Sequence, residues 1–282
     1  MIRAWAWAAV AVVWAGAGQA ACASDEEIAR YVADYTRLMP AKALSVGASM
    51  EEARCTQAKL AAALEPVMGP VVGYKAGLTS APAQERFGVT EPVQGVLYEK
   101  SLLPDGASVP LTFGARPVFE ADLLLVVGDA ALNEATTTEE AMPHIAAVRP
   151  FIELPDLMLD PDQPFTAATL TAIGVGPRLG VMGAEIPVDD PAAMHAALGN
   201  MTVRLTAADG AVLAEVPGKA VLGHPVQSAL WLMSKGITFE PGDVISVGSF
   251  GPLVPPAKGK GGAQASYIGL PGDPSVSVTF TE

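Results

Sequence analysis

The sequence predicts an α+β protein in which a small N-terminal helical cap precedes a β-rich body of mixed or mainly antiparallel sheets. Three observations carry that prediction. Helical periodicity is concentrated between Asp25 and Pro70 and returns only in three short patches. Beyond Val71, short β-branched runs alternate with Gly and Pro punctuation, without the strict strand–helix alternation of a parallel fold. The 282 residues include 28 Gly and 24 Pro, above the usual combined share of about 12%, which favours a turn-rich fold over a helix bundle. The chain divides into residues 1–23, 24–70 and 71–282.

The first segment reads as an address. Arg3 is followed by an uncharged run from Ala4 to Ser24, rich in Ala, Val and Trp, and then by Asp25-Glu26-Glu27. A basic start, an apolar stretch and small residues before an acidic mature start describe a secretory signal peptide. Cleavage fits after Ala20 or after Ala23, and the processed protein is expected to be periplasmic or secreted, with no membrane attachment. An uncleaved anchor is the alternative, because about 20 apolar residues just span a bilayer. Lipidation of Cys22 is a weaker reading, since Gln19 stands where such sites usually carry Leu. Cys22 and Cys55 are the two cysteines. Cleavage after Ala20 permits a bridge between them in an oxidising compartment, and cleavage after Ala23 removes it.

Asp25 caps a helix that runs through Arg37 and presents Ile28, Tyr31, Val32 and Tyr35 on one face. Ser49 and Glu52 have capping-box spacing at the start of a second helix, which Pro66 and Gly69 are expected to end. Strand signals follow at Val71–Tyr74, Leu123–Val127, Leu179–Met182, Met201–Leu205, Val244–Val247 and Val276–Phe280. Leu123–Val127 is apolar on both faces and so belongs to a sheet covered on both sides. The later helical patches are Thr138–Ala147, Pro191–Leu198 and Pro225–Lys235. The net charge of −13 would repel a phosphate backbone, so nucleic acid is not an expected partner.

Glu120 and Asp122 lead into the buried strand and, two residues apart, share a face. Their bland reading is a solvated strand entrance. Glu153, embedded in Phe151-Ile152-Glu153-Leu154, argues otherwise, because an unpaired charge there is expensive. Three carboxylates with few basic neighbours suit a hard cation such as Mg²⁺. Lys75, in Gly73-Tyr74-Lys75-Ala76-Gly77-Leu78-Thr79-Ser80, is either a snorkelling surface residue or a buried partner for a substrate carboxylate or a proton. His144, His195 and His224 form no HExxH; His224, just before Pro225, reads as a helix cap. No GxSxG elbow or complete dinucleotide loop is present.

These segments, in this order, resemble the 2-keto-4-pentenoate hydratase and 4-oxalocrotonate decarboxylase branch of the fumarylacetoacetate hydrolase superfamily. The likeness covers most of the chain after Asp25. Ala53 to Gln57 is similar to the family's Ala-Tyr-x-x-Gln, with Arg54 in place of Tyr. Gly73 to Ser80 is similar to its Gly-Tyr-Lys-x-Gly-Leu-Thr-Ser. Glu120-x-Asp122 and Glu153 resemble its Glu-x-Glu and distant Glu, and Asp156 keeps its Asp three residues later. Leu222-Gly223-His224-Pro225, Gly242-Asp243-Val244 and Gly248-Ser249 match its C-terminal block. Three departures stand out: Asp122 is one methylene shorter than Glu, Ile173-Gly174 stands where the family has Asp-Asn, and Phe250-Gly251-Pro252 follows Gly248-Ser249 in place of Leu-Thr-Gly.

The resemblance implies a fumarylacetoacetate hydrolase C-terminal-like fold, a β-rich roll under a helical cap. It implies Mg²⁺, with Mn²⁺ as the alternative, held by Glu120, Asp122 and Glu153. Lys75 and Asp156 would be catalytic, Asp156 by positioning water, and Gly77, Leu78 and Ser249 would bind substrate. The implied reaction adds water to a 2-hydroxy-2,4-dienoate acid through a metal-stabilised enolate, in a homo-oligomer. Decarboxylation or C–C hydrolysis of a related 2-oxo acid, and non-catalytic binding of such an acid in the periplasm, are the competing readings.

Overall fold

The computed structural model describes residues 22–282. Of the expected signal peptide, all but Cys22 and Ala23 lies outside the described residues. Helix α1 (Asp25–Thr36) is capped by Ser24 rather than Asp25: Ser24 and Glu27 form a reciprocal capping box, which satisfies two donors that helix geometry leaves open. Helix α2 (Met50–Met68) begins with the Ser49–Glu52 box. Pro66 does not end it but lies in its last turn, and Gly69, at φ +80°, turns the chain away.

The body follows as β1 (Val71–Gly77), α3 (Ala81–Phe87), β2 (Val93–Tyr98), β3 (Leu102–Pro104), β4 (Ser108–Pro110) and β5 (Glu120–Val127). Next come α4 (Thr138–Ala141), β6 (Ile145–Leu154), α5 (Ala167–Ala172), β7 (Leu179–Met182), β8 (Ile186–Pro187) and α6 (Pro191–Asn200). The chain closes with β9 (Thr202–Ala207), β10 (Val212–Pro217), α7 (Gln227–Ser234), β11 (Val244–Ser246), β12 (Gly262–Ile268) and β13 (Ser275–Thr281). The helix expected over Thr138–Ala147 is cut short. It gives way to a 3-10 turn at Met142–His144, and Ile145 already belongs to β6. Pro143 cannot extend an α-helix ladder, and the β-branched run beyond it finds strand partners.

Two mixed sheets result. The larger has the order β2-β1-β11-β5-β6-β7-β3, with β8 added on β6; the smaller runs β10-β9-β12-β13-β4. Leu123, Leu125, Val148 and Ile152 of the larger sheet share one apolar core with Val203, Leu205, Ala265, Val276 and Val278 of the smaller. A second apolar cluster joins the cap to the body: Ile28, Tyr31, Tyr35, Leu60 and Leu64 pack with Val93, Tyr98, Met158 and Leu170. Among the described residues no helix is long and apolar enough to cross a membrane.

The two sheets are also tied by one polar pin. Tyr267 of β12 is fully buried. Its hydroxyl donates to the Asp122 carbonyl, lies 2.9 Å from the Phe151 carbonyl and accepts the Phe151 N–H at 3.0 Å. Asp122 and Phe151 are register partners on β5 and β6, so the phenol clamps this strand pair at one point. Burial pushes the phenol well above its usual range and keeps it protonated. Tyr267→Phe leaves buried backbone groups unpaired and is expected to lower stability by about 1–3 kcal/mol in urea denaturation; an unchanged midpoint would show that the pin contributes nothing.

Candidate active site

Side chains alternate across a strand, and register partners share a face. Ala121, Leu123 and Leu125 point into the inter-sheet core, so Glu120 and Asp122 point to the other face. Glu120 pairs with Glu153 across β5 and β6, while Lys75 of β1 pairs with Ser246 of β11. Five polar side chains thus converge on one face of the larger sheet, beneath the cap. All are buried: Lys75 is 2% exposed, Glu120 8%, Asp122 0%, Glu153 2% and Ser246 0%.

Lys75 Nζ donates to Glu153 Oε1 and, at 3.1 Å, to the Val175 carbonyl. Asp122 is held by its neighbours. Its Oδ1 accepts the Leu123 N–H at 2.6 Å and the Gly248 N–H at 3.0 Å, and its Oδ2 accepts the Ser246 hydroxyl. The Ser249 hydroxyl donates to the Gly251 carbonyl at 2.8 Å. Gly248 has to be glycine: it sits at φ +105°, and a Cβ there would meet Thr79 Oγ1 at 2.4 Å.

The arm of Lys75 crosses Gly95, where a Cβ would meet the Gly174 carbonyl at 2.3 Å and Lys75 Cγ at 2.9 Å. The covering turn is unusual. Gly174, Val175 and Gly176 all have positive φ, at +68°, +61° and +65°. For β-branched Val175 that is a strained conformation. It aims the Val175 carbonyl at Lys75 and presses the Val175 side chain onto Gly77, whose hypothetical Cβ would lie 2.6 Å from Val175 Cγ1. This turn stands where the resemblance expects Asp-Asn, and a backbone carbonyl contacts Lys75 there.

Burial and mutual repulsion raise two of the acids. Desolvation first, then the Glu153 charge, pushes Asp122 up to about 7. Desolvation, then Glu153, raises Glu120 well above the carboxylate range, against the pull of Lys75. Three ionised carboxylates and one ammonium leave two negative charges uncompensated, which a divalent cation would cancel. The all-oxygen donor set therefore suits a hard cation. Among the described residues no three acidic or His side chains stand as a finished metal cage. Glu153 faces Lys75, and Asp122 already accepts three protein hydrogen bonds, so Glu120 and Glu153 are the freer ligands.

Other expected site residues lie elsewhere. Leu78, at φ +55°, packs with the cap cluster. Asp156 is fully buried and accepts from the Ala115, Arg116 and Met158 N–H groups at 2.9, 2.8 and 3.1 Å and from Arg178 at 3.0 Å. Arg178 stacks 3.5 Å over the Tyr35 ring and donates to the Tyr35 carbonyl. Asp156 is thus a structural knot between cap and body, with its oxygens engaged by protein donors rather than turned to a reacting water. Sequence reasoning missed Ser246, Val175 and Tyr267; the lone hydroxyl in Val244-Ile245-Ser246-Val247 was the readable signal. His224 does not cap its helix as expected: Val226 takes the N-cap position of α7 without a side-chain cap, and His224 Nδ1 accepts the Val226 N–H at 3.2 Å just ahead of the helix.

The sequence profile of the fumarylacetoacetate (FAA) hydrolase C-terminal domain matches residues 72–276. The chain belongs to the fumarylacetoacetate hydrolase family. Within it, the chain is 31% identical to a 2-keto-4-pentenoate hydratase of Burkholderia vietnamiensis over 216 residues, 75% of this chain and 79% of that one. It is 28% identical to a 2-hydroxyhexa-2,4-dienoate hydratase of Comamonas testosteroni over 218 residues, with the same coverage of both. The 4-oxalocrotonate decarboxylase of Pseudomonas putida G7, solved with magnesium and adipate, shares the fold at a TM-score of 0.78 and 22% identity, over 93% of this chain and all of that one. A fumarylpyruvate hydrolase from Pseudomonas aeruginosa, solved with Mn²⁺ and pyruvate, aligns at a TM-score of 0.56 and 15% identity, over 75% and 90%.

The raised carboxylate of Asp122 has a stability consequence. Between its ordinary 3.8 and about 7, the folded metal-free chain holds a proton that the unfolded chain has released. Stability therefore falls as pH rises through that window, and the raised carboxyl of Glu120 extends the fall above it. The urea midpoint of the metal-free protein is expected to be lower at about pH 8 than at about pH 5.5, with Mg²⁺ recovering the loss at the higher pH; a midpoint that climbs with pH would contradict the buried-carboxylate reading.

Proposed function

We propose that the protein is a divalent-cation-dependent hydratase of a 2-hydroxy-2,4-dienoate acid, working outside the cytoplasm as a homo-oligomer. The observation that carries this reading is the buried group of Glu120, Asp122 and Glu153 around one ammonium, Lys75. Glu120 and Glu153, assisted by Asp122, would hold Mg²⁺ or Mn²⁺. When bound, such a cation supplies a Lewis acid for the 2-oxo and carboxylate oxygens of the substrate.

The remaining chemistry belongs to the chain. Lys75 presents a fixed N–H to the substrate's carboxylate end and offsets charge that grows on the enolate oxygen. The Lys75–Glu153 pair can hold the proton that leaves the enol oxygen and return it to the terminal alkene carbon. The resulting enone then takes up water: hydroxyl bonds to the carbon conjugated with the ketone, and the water's proton ends on the carbon between them. The Val175 carbonyl and Gly95 hold the Lys75 arm in place, and Val175 with Gly77 walls the chamber. Asp156 is proposed as a positioning residue, which keeps the end of β6 and the Gly176–Arg178 segment in register with the cap.

Loss of 2-hydroxypenta-2,4-dienoate, followed by ultraviolet absorbance, is expected to require Mg²⁺ and to yield 4-hydroxy-2-oxopentanoate. Glu153→Gln and Lys75→Met should each slow it by at least about a hundredfold. Unimpaired turnover in either variant would sink the assignment. Carbon dioxide release from 4-oxalocrotonate instead would move the protein to the decarboxylase reading.

Export is supported by the Cys22–Cys55 bridge, whose Cα atoms are 5.4 Å apart. Such bridges persist in oxidising compartments, and this one survives only if processing occurs upstream of Cys22. Intact mass of the exported protein is expected to begin at Ala21, with both thiols unreactive until reduction; a mature chain starting at Ser24, or two free thiols, would refute this.

A further inference from the structure

Four buried side-chain polar atoms lack a protein partner among the described residues: Gln94 Oε1, Thr171 Oγ1, Trp231 Nε1 and Arg178 Nε. The first three line a single cleft at the free edge of β2, together with Arg54, Glu91 and Lys235. Buried polar groups are paired in almost every folded protein, so three orphans facing one space call for an explanation. Their chemistry gives one. An indole N–H can only donate, and a threonine hydroxyl can donate as well. Arg54 reaches the mouth from α2 with no carboxylate partner among the described residues, and Lys235 stands beside it, paired with Glu91 at 2.5 Å. Gln94 Oε1 is the one unmatched acceptor. The free volume of the cleft is about 10 Å³, the room of one oxygen atom, so a larger ligand would seat one oxygen there and lie across the mouth.

This cleft is separate from the carboxylate centre. Gly95 faces Lys75, and adjacent strand residues leave opposite faces, so the Gln94 side chain departs from the side away from Lys75. We propose that the cleft is a second ligand site, for a small carboxylate that also carries a hydroxyl group. One carboxylate oxygen would accept from Trp231 and Thr171, Arg54 and Lys235 would balance the charge, and the hydroxyl would donate to Gln94. Such a ligand would brace three elements at once, because Gln57 of α2 already donates to the Gln94 and Thr171 carbonyls.

Trp231 supplies the reporter. The other three of the four tryptophans, Trp5, Trp7 and Trp14, lie in the leader segment. The test is to titrate the purified, metal-free protein with lactate, following tryptophan emission and thermal unfolding, with neutral methyl lactate as the control and Trp231→Phe to identify the signal. A saturable response to lactate is expected, and it should persist in Glu153→Gln. Arg54→Ala and Thr171→Val, with circular dichroism verifying their fold, should each weaken it at least about tenfold. The proposal is overturned by no saturable response, by an equal response to methyl lactate, or by loss of the response in Glu153→Gln. It is equally overturned if lactate-grown crystals show only an ordered water between Trp231 and Thr171.

Discussion

The constraint on which the rest depends is the burial of three carboxylates with a single ammonium. No isolated charge survives in an apolar interior, because its lost hydration far exceeds what packing returns. The surrounding chain therefore has to deliver partners at fixed positions, and it does so mainly through backbone. Asp122 is met by the N–H groups of Leu123 and Gly248, and Lys75 by the carbonyl of Val175. Such close approach excludes side chains at Gly95 and Gly248. At the β1–β11 seam, a Cβ on Gly73 would lie 2.0 Å from the Val244 carbonyl. The glycine-rich composition follows in part from packing backbone against a charged site.

A site of this kind also needs a seal against water, and the cap supplies it. The knot of Asp156, Arg178 and Tyr35 is a second buried ion pair, neutral in itself, with its carboxylate met by three N–H groups besides the guanidinium. It joins α1 to the segment just beyond Glu153. The Tyr35 hydroxyl donates to the Pro177 carbonyl at 3.0 Å, which fixes the strand-like segment that follows the Val175 turn. The disulfide between Cys22 and Cys55 holds the start of α1 against α2. The cap is thereby tied directly to the segment that follows the Val175 turn.

Local patterns in the sequence fixed on the right features where the physics is local. The Ser49–Glu52 box, the fully apolar Leu123–Val127 strand and the same-face spacing of Glu120 and Asp122 are all decided within a few residues. Glu153 was legible because its neighbours are apolar. What stayed hidden depends on register between distant strands. Nothing near Ser246 says that it will face Asp122, 124 residues away, and nothing near Tyr267 says that it will reach across to β5. The ion pair of Asp156 is hidden for the same reason: its spacing from Glu153 suggests chemistry, whereas its partner Arg178 arrives from a loop beyond α5. Pro143 is a local signal as well: it ends the helix that starts at Thr138 and begins a 3-10 turn.

Two of the departures from the family pattern, at Asp122 and at Ile173-Gly174, are better explained as compensated than as decay. A shorter Asp at position 122 draws its carboxylate back toward the strand, where the Gly248 N–H and the Ser246 hydroxyl reach its oxygens; a longer Glu would carry the charge past them. Loss of the Asp-Asn pair is matched by a turn that supplies a backbone carbonyl to Lys75 at the energetic expense of a left-handed valine. A site that had lost its chemistry would be expected to accumulate orphaned polar atoms at its centre. Among the described residues, the fully buried atoms without a partner belong to Gln94, Thr171, Trp231 and Arg178, and none to Lys75, Glu120, Asp122 or Glu153. Lys75 and Asp122 are held by protein partners while Glu120 keeps free oxygens, so the centre retains carboxylate capacity that one ammonium does not match.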